Sequence, residues 1–240
     1  MRNRFFYFLT FVFLFPLSSN AQYIVWDGDF MVGLSAGALM PINAPKPTLL
    51  PTDNAVDGSF KRSVSPIFAF YYGMERSVKG RLCMGFNADA SFSRERAAAD
   101  FLDSTSITSI HQKTNVIEIA EEFFVSYYVA EKIPIHLGVG ISESIIFGRA
   151  QKHDTYDLSN NLQTEGNYDY TGNFGLGGAL SLQASVGASF LITDAFFISL
   201  RLKYRYPFID FFSANGTGAT AWLIKMPMSI TPIATIGFRW

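Results

Sequence analysis

Residues 82–93, L-C-M-G-F-N-A-D-A-S-F-S, alternate between two kinds of side chain. Every second residue from Leu82 to Phe92 is apolar, and the residues between them are small or polar. A period of two is the signature of a β-strand with two different faces. The polar face combines glycine and serine with Asp89, a composition that suits the crowded interior of a barrel better than a solvent-exposed face. The segment therefore predicts a strand whose apolar side faces outward.

The same alternation recurs along the chain in eight runs, several of them longer than the strands of soluble proteins. Each run is as long as or longer than the roughly 9 to 11 residues that a tilted strand needs to cross a bilayer. The runs cover residues 30–40, 64–76, 80–94, 114–129, 133–148, 177–192, 195–206 and 225–240.

The connections between these runs alternate in length. Three are short, at residues 77–80, 130–132 and 193–194, and four are long, at residues 41–63, 95–113, 149–175 and 207–223. Membrane barrels of bacteria have tight periplasmic turns and longer outer loops. The pattern predicts an all-β fold, a transmembrane antiparallel up-and-down eight-stranded β-barrel. A secreted β-sandwich is the competing fold, but it would need shorter strands and a less regular alternation of loops.

The first 21 residues have the layout of a secretory signal peptide. Arg2 and Arg4 precede an apolar run, and Ser19 and Ala21 provide small residues before a cleavage site ahead of Gln22. The apolar run is short for a membrane-spanning helix. We therefore expect residues 1–21 to be a cleaved signal peptide and residues 22–240 to form the barrel domain.

Composition narrows the classes of function. The net charge is −1, which gives no basic surface for nucleic acid, and 16% of the residues are aromatic while only 16% are charged. The usual charged fraction is about a quarter. A chain so rich in rings and poor in charge either buries an unusual amount of aromatic surface or exposes it to lipid.

The chain resembles the small eight-stranded outer-membrane barrels, the OmpA/OmpX-like class and the "outer membrane protein beta-barrel domain" group. The resemblance is carried by the signal segment, the eight alternating runs and the stretch I-A-T-I-G-F-R-W at residues 233–240. It implies a location in the bacterial outer membrane, with outer-membrane lipid and lipopolysaccharide around the barrel. It also implies that Ile236, Phe238 and Trp240 form an assembly signal read by the barrel assembly machinery. It says little about activity, because folds host many functions.

The inward parity of the predicted strands carries charges of both signs. Carboxylates lie on the second to fourth strands and cations on the last two, so they face each other across a narrow interior. Because a buried charge needs a partner, we expect a closed, ion-paired interior. The residues of this predicted network are Glu75, Asp89, Glu118, Glu122, Arg201, Lys203, Arg205 and Arg239.

Glu121 and Glu143 break the pattern, because their parity assigns them to the lipid face of neighbouring strands. One interpretation is a β-bulge that turns one of them inward. Another is a contact with a divalent cation, with lipopolysaccharide or with a protein.

The sequence has few residues in spacings typical of catalytic or metal-binding sites. Of the three histidines, only His153, beside Asp154 and near Ser159, could belong to a catalytic grouping, and a catalytic serine needs an oriented base. We therefore predict no catalytic residues, no metal site and no cofactor. The sequence favours a structural or interaction role, for example as an accessory of an envelope or secretion machine with an envelope protein as partner. A barrel that modifies or binds lipid A is the alternative, followed by a narrow channel.

Overall fold

The alternating segments form ten antiparallel strands in the computed structural model, which describes residues 28–43, 59–102, 105–159, 161–169, 177–212 and 226–240. Within these residues no helix is long and apolar enough to cross a membrane. The strands are β1 (Asp29–Pro41), β2 (Ser59–Ser63), β3 (Ser65–Lys79), β4 (Leu82–Leu102), β5 (Ser106–Ala130), β6 (Ile133–Asp157), β7 (Leu162–Asp169), β8 (Gly177–Leu191), β9 (Phe196–Phe212) and β10 (Ser229–Arg239).

Eight of the strands close a ring of hydrogen bonds in the order β1–β3–β4–β5–β6–β8–β9–β10. The last and first strands pair antiparallel, from Met31 opposite Arg239 to Pro41 opposite Ser229. The two remaining strands continue ring strands: β2 lies along β4 above β3, and β7 lies along β6 above β8. The predicted eight-stranded barrel is confirmed. Closure leaves no open sheet edge in the ring, which a bilayer would not tolerate.

The ring has apolar side chains on the outside and polar side chains on the inside, the reverse of a soluble protein. Outward residues are large and apolar, as Phe123 illustrates with 69% of its surface exposed, whereas inward residues such as Asn87 are polar and 2% exposed. In water this arrangement would expose apolar surface around the whole circumference at a large cost in free energy. In a bilayer the same surface faces hydrocarbon, so the fold is that of a transmembrane barrel.

Both ends of the described barrel chain lie on the side of the short turns. Phe30 and Trp240 exchange backbone hydrogen bonds of 3.0 Å there. The turn between β3 and β4 uses Gly80 at a φ of 59°, a backbone conformation that glycine adopts without a steric penalty. This side, called the lower end below, corresponds to the periplasmic side of outer-membrane barrels.

The prediction of long loops is wrong in part for all four connections, because β2 lies within the first of them and the other three also contain paired strands. β4 runs to Leu102 and β5 begins at Ser106, so residues 95–113 form a paired hairpin instead of a loop. Residues 149–157 and 162–169 form a second hairpin, and β9 continues to Phe212. Above the membrane the outer face of a strand no longer meets lipid, so the apolar alternation ends there while backbone pairing continues.

These extensions form a projecting sheet at the upper end, made of β2, residues 94–102 of β4, residues 106–115 of β5, residues 148–157 of β6, and β7. The upper end of this sheet lies well above the apolar belt. It consists of residues 106–109 of β5 and the residues opposite them at the end of β6, 154–157. Eleven residues of a tilted strand separate Ile117 from Ser106, a rise of about 25 Å. The signal segment at residues 1–21 lies outside the described residues, as do residues 44–58, 170–176 and 213–225.

Candidate functional site

The barrel interior holds charged side chains in layers, and the lowest layer lies near the short turns. Glu75 on β3 accepts hydrogen bonds from Ser126 and, at 3.2 Å, from the Tyr128 hydroxyl. Arg239 on β10 donates to the same hydroxyl at 2.8 Å and forms an ion pair with Asp29 on β1. Tyr128 thus links a carboxylate to a cation that does not touch it directly.

An apolar layer, called the aromatic layer below, lies above this group. Met31, Tyr71, Phe124 and Phe197 converge from four strands and are all buried. The rings of Tyr71 and Phe197 meet edge to face with centroids 6.1 Å apart, a favourable arrangement for aromatic pairs. The guanidinium of Arg201 covers the Tyr71 ring at 4.7 Å. The layer therefore separates the lower charges from the central ones with packed carbon.

The central layer is an ion triad across the barrel axis. Asp89 on β4 accepts two hydrogen bonds from Arg201, at 2.9 and 3.2 Å, and one from Lys203 at 2.7 Å. All three side chains are buried. Charge-assisted, bidentate contacts of this kind are the strong hydrogen bonds of proteins. The pairing fastens β4 to β9 on the opposite wall.

The upper layer repeats the scheme with a second pair of walls. Arg205 on β9 donates to Glu118 on β5 at 2.6 Å and to Glu95 on β4 at 3.5 Å. Arg62 on β2 also reaches Glu95 at 3.5 Å. Glu118 further accepts hydrogen bonds from Ser144 and Gln183, which satisfies both of its oxygens. A small apolar cluster of Val116, Ile146, Ala179 and Met226 is also buried in the upper half.

Glu122 lies in the same interior without an ion pair to any described residue. Its Oε1 accepts a hydrogen bond from Ser185, and its Oε2 has no hydrogen-bond partner in the described part of the protein. The neighbouring wall is glycine at positions 138 and 140, and the Gly138 backbone lies against the Glu122 carboxylate. The carboxylate therefore occupies space that a side chain on β6 would otherwise fill.

The interior is packed to the scale of single water molecules. A cavity of about 20 Å³ lies beside the aromatic layer, lined by Asn87, His136 and Arg201 among others. A second, also of about 20 Å³, lies between the central and upper layers. Each has room for about one water. An open recess of about 520 Å³ at the lower end reaches Glu75 and Arg239 and stops below the aromatic layer.

The eight charges predicted from parity all face the interior, but they do not form one continuous network. The structure brings Asp89 together with Arg201 and Lys203, and Glu118 together with Arg205. Glu75 and Arg239 meet only through Tyr128, and Glu122 stands apart.

Sequence reasoning missed three charged participants, namely Asp29, Arg62 and Glu95. Asp29 immediately precedes the first predicted run, and the other two fall in segments predicted as loops. Extending the inward parity of the third run by one step beyond Ser93 would have found Glu95.

Glu121 and Glu143 both face outward, so the interpretation that a bulge turns one of them inward is wrong. The register shift between β5 and β6 occurs at Asn115 and Val116, above both carboxylates, and the parity below it is unbroken. Glu121 lies opposite Ile141 and Glu143 opposite Ile119, which makes the two carboxylates diagonal neighbours. Both are half-buried in the upper part of the apolar wall, without a hydrogen bond to another described side chain.

The histidines and their neighbours form no catalytic grouping among the described side chains. Asp154 accepts a hydrogen bond from Lys152 at 3.0 Å, and the backbone N–H of Ser159 donates to Asp157 in the hairpin turn. His136 is buried at the lower end and His111 is exposed on the projecting sheet. The side chain of His153 lies outside the described residues. No cluster of three or more His, Cys, Asp or Glu side chains suited to a metal ion occurs in the described part of the chain.

Ile236, Phe238 and Trp240 lie on the outward face of the closing strand. Trp240 stacks on Phe30 of β1 with ring centroids 6.4 Å apart, and Phe238 meets Phe196 of β9 edge to face at 5.7 Å. Phe238 of β10 and Trp240 directly after it therefore contact the strands on both sides of β10.

Comparison with solved structures finds small outer-membrane barrels. Ail, the attachment invasion locus protein of Yersinia pestis, is 10% identical with a TM-score of 0.38, over 89% of this chain and 97% of that one. OprG of Pseudomonas aeruginosa is 9% identical with a TM-score of 0.44, over 89% and 96%. Neisserial surface protein A is 11% identical with a TM-score of 0.37, over 88% and 95%. No family model matches the chain, and no curated protein matches its sequence.

A closed ring of eight antiparallel strands with an apolar exterior and a charged interior decides the class. The protein is an outer-membrane β-barrel. Identities near 10% and TM-scores below 0.5 carry no ligand or activity over to it, so its function has to be argued from its own interior and surface.

Proposed function

We propose that this protein is a non-conducting outer-membrane barrel with an interaction role, in which the projecting sheet is the contact surface for an envelope protein. The barrel holds the sheet at the cell surface, and the charged interior holds the barrel rigid. A role as an accessory of an envelope or secretion machine is the specific form of this proposal.

The observation that carries the proposal is the projecting sheet itself. Strands β4, β5 and β6 continue far past the bilayer in register, so the part outside the membrane is a paired sheet and not a set of loops. Paired strands lose little additional conformational entropy on binding, which makes them suitable contact surfaces. A channel would need a continuous path through the interior, where these two cavities have room for about one water each.

The two ends of the chain direct its export and its assembly in this proposal. Residues 1–21 are a signal peptide that is removed on export, which leaves residues 22–240 as the mature domain. Ile236, Phe238 and Trp240 then serve as the signal for the barrel assembly machinery, and their exposed aromatic side chains beside β1 and β9 support this.

The test uses a variant with a shortened projection. An Asn-Gly turn joins Ala97 to Gln112 and a second one joins Lys152 to Asn167, two pairs that lie directly opposite each other. Asn-Gly suits a two-residue hairpin turn, so the ring should still close. Both proteins are purified from outer membranes in mild detergent, and the co-purifying envelope proteins are quantified.

We expect the full chain to retain a defined envelope protein in stoichiometric amount and the shortened variant to lose it. A mobility shift on heating in SDS controls for folding of both barrels. Identical sets of co-purifying proteins would contradict the proposal, as would a change in the lipid A mass spectrum that depends on expression of the intact chain and is lost in His153→Ala.

A further inference from the structure

Three cations lie on the outward face of the sheet directly above the apolar belt, and together they are called the basic band here: Arg94, Arg96 and Lys113. On β4 the last apolar outward residue before the band is Phe92, and on β5 it is Ile117. Two residues of a tilted strand rise about 5 Å, so Arg94 lies about 5 Å above the belt and the other two about 10 Å above it. The headgroup region is about 5 to 7.5 Å thick on each side of a bilayer, so Arg94 lies within it and the other two lie at its outer edge, within reach of their long side chains.

The band has an arrangement that an isolated sheet disfavours. Arg96 and Lys113 are directly opposite each other in the β4–β5 register, and Arg94 is the diagonal neighbour of Lys113. Side chains directly opposite have Cβ atoms about 5 Å apart, and like charges in such a pair are destabilising. All three side chains are exposed.

The protein supplies no counter-charge to the band within the described residues. None of the three cations forms an ion pair there, and Arg94 donates instead to the Asn115 side-chain oxygen at 3.1 Å. The adjacent outward cation, Lys152, is neutralised by Asp154 at 3.0 Å and Glu165 at 3.2 Å. Lys152, which lies higher on the projecting sheet, thus has carboxylate partners. The basic band, where the sheet meets the headgroup layer, has none among the described residues.

We propose that the basic band binds the phosphate groups of an anionic lipid headgroup in the outer leaflet of the membrane. Two guanidinium groups and one ammonium group converge where a phosphate relieves their mutual repulsion, and guanidinium groups match phosphate oxygens in bidentate geometry. The hydrogen bond to Asn115 limits the motion of the Arg94 side chain before the lipid arrives. The site stands independently of the proposed protein partner, because the shortened variant described above retains all three residues.

The test measures lipid retention on the purified full-length barrel by native mass spectrometry in detergent. The probes are diphosphorylated lipid A, the same lipid A with both phosphates removed, and inorganic phosphate as a competitor. We expect the wild-type barrel to retain diphosphorylated lipid A about tenfold more tightly than the phosphate-free form, which corresponds to about 1.4 kcal/mol. This comparison requires no variant.

The variant Arg96→Gln/Lys113→Gln should lose most of that preference. The matched control Arg76→Gln/Arg81→Gln removes two exposed cations at the lower end and should bind like the wild type. A second readout follows the melting temperature. Diphosphorylated lipid A should raise it in the wild type and raise it less in the band variant, while without lipid the band variant should be at least as stable, because a like-charge repulsion is gone.

Three results would overturn the proposal. They are equal retention of the two lipid A forms, undiminished retention by the band variant, and displacement of lipid A by millimolar inorganic phosphate, which would make the band a site for a free anion and not for a lipid.

Discussion

Individual charges in the interior illustrate what a single sequence can and cannot specify. Alternation assigned Asp89 and Arg201 to the interior, because the face of a strand residue follows from its parity alone. Which charges meet across the axis depends on the stagger of the strands around the ring, and the sequence does not encode that stagger locally. For this reason Glu122 could be placed inside the barrel but not recognised as a carboxylate without an ion pair among the described residues.

Loss of charge at two interior carboxylates should change the free energy of unfolding by very different amounts. Asp89 is 2% exposed and binds two cations, whereas Glu122 is 1% exposed and forms no ion pair with a described residue. Asp89→Asn leaves two buried cations without a counter-charge and should lower the free energy of unfolding by about 3 to 5 kcal/mol. Glu122→Gln keeps the shape and should change it by less than about 1 kcal/mol.

Urea unfolding of both variants in liposomes measures this difference, with the mobility shift on heating as the control for folding. Equal losses in the two variants would show that burial, and not pairing, determines the contribution of interior carboxylates.

At the scale of the strands, alternation predicts structure only where a strand separates two environments. Within the membrane β4 has lipid on one face and a packed interior on the other, so its pattern is clear from Leu82 to Phe92. Above Phe92 the strand continues for ten residues with water on its outer face, and the polar composition of this part suggested a loop. Backbone pairing, which leaves no mark on composition, extends the sheet there.

The stability of the hairpin turn between β6 and β7 should depend on pH through Asp157. The side chain and the backbone N–H of Asn161, helped by the backbone N–H of Ser159, donate to this carboxylate and hold its pKa below the ordinary range. A lowered pKa in the folded turn means that the carboxylate stabilises the turn above its unfolded pKa, near 3.9. This stabilisation is lost as the pH falls through the lower pKa of the folded turn.

Hydrogen exchange of the Ser159 and Asn161 amides checks this dependence. At pH 7 both amides should exchange several times faster in Asp157→Asn than in the wild type, and the difference should shrink progressively as the pH falls below 3.9. Comparison at the same pH removes the intrinsic effect of pH on exchange. Equal rates in the two proteins at pH 7 would contradict the role assigned to Asp157.

The closing strand should be more sensitive to loss of its aromatic side chains than other parts of the lipid face. Phe238 and Trp240 are 61% and 64% exposed, and each contacts an aromatic ring of an adjacent strand. The variant Phe238→Ala/Trp240→Ala should yield severalfold less heat-modifiable barrel in outer membranes, because it removes both aromatic contacts and the proposed assembly signal.

The matched control for the closing strand is Phe68→Ala/Phe70→Ala on β3. These rings are 59% and 53% exposed, so a similar apolar area is lost on a strand that pairs with β1 but not with β10. Equal yields from the two double variants would refute a special role for the closing strand.

The whole molecule is a ring closed between β1 and β10 around an interior packed with its own side chains. Carboxylates from β4 and β5 meet cations from β9, so the ion pairs join opposite walls, and the aromatic layer lies between the lower and central charges. The strand count and the membrane location followed from alternation and loop lengths. The projecting sheet and the unneutralised basic band did not, because each depends on register between strands distant in sequence.

Planar-bilayer recording tests the closed interior most directly. The protein is purified in its heat-modifiable form and inserted at known density. Because the ion triad, the Arg205 ion pairs and the aromatic layer fill the axis and leave cavities of about 20 Å³, we predict no current above that of the bare bilayer. Long-lived, stepwise ion currents from the folded wild-type protein would contradict a closed interior and support a channel instead.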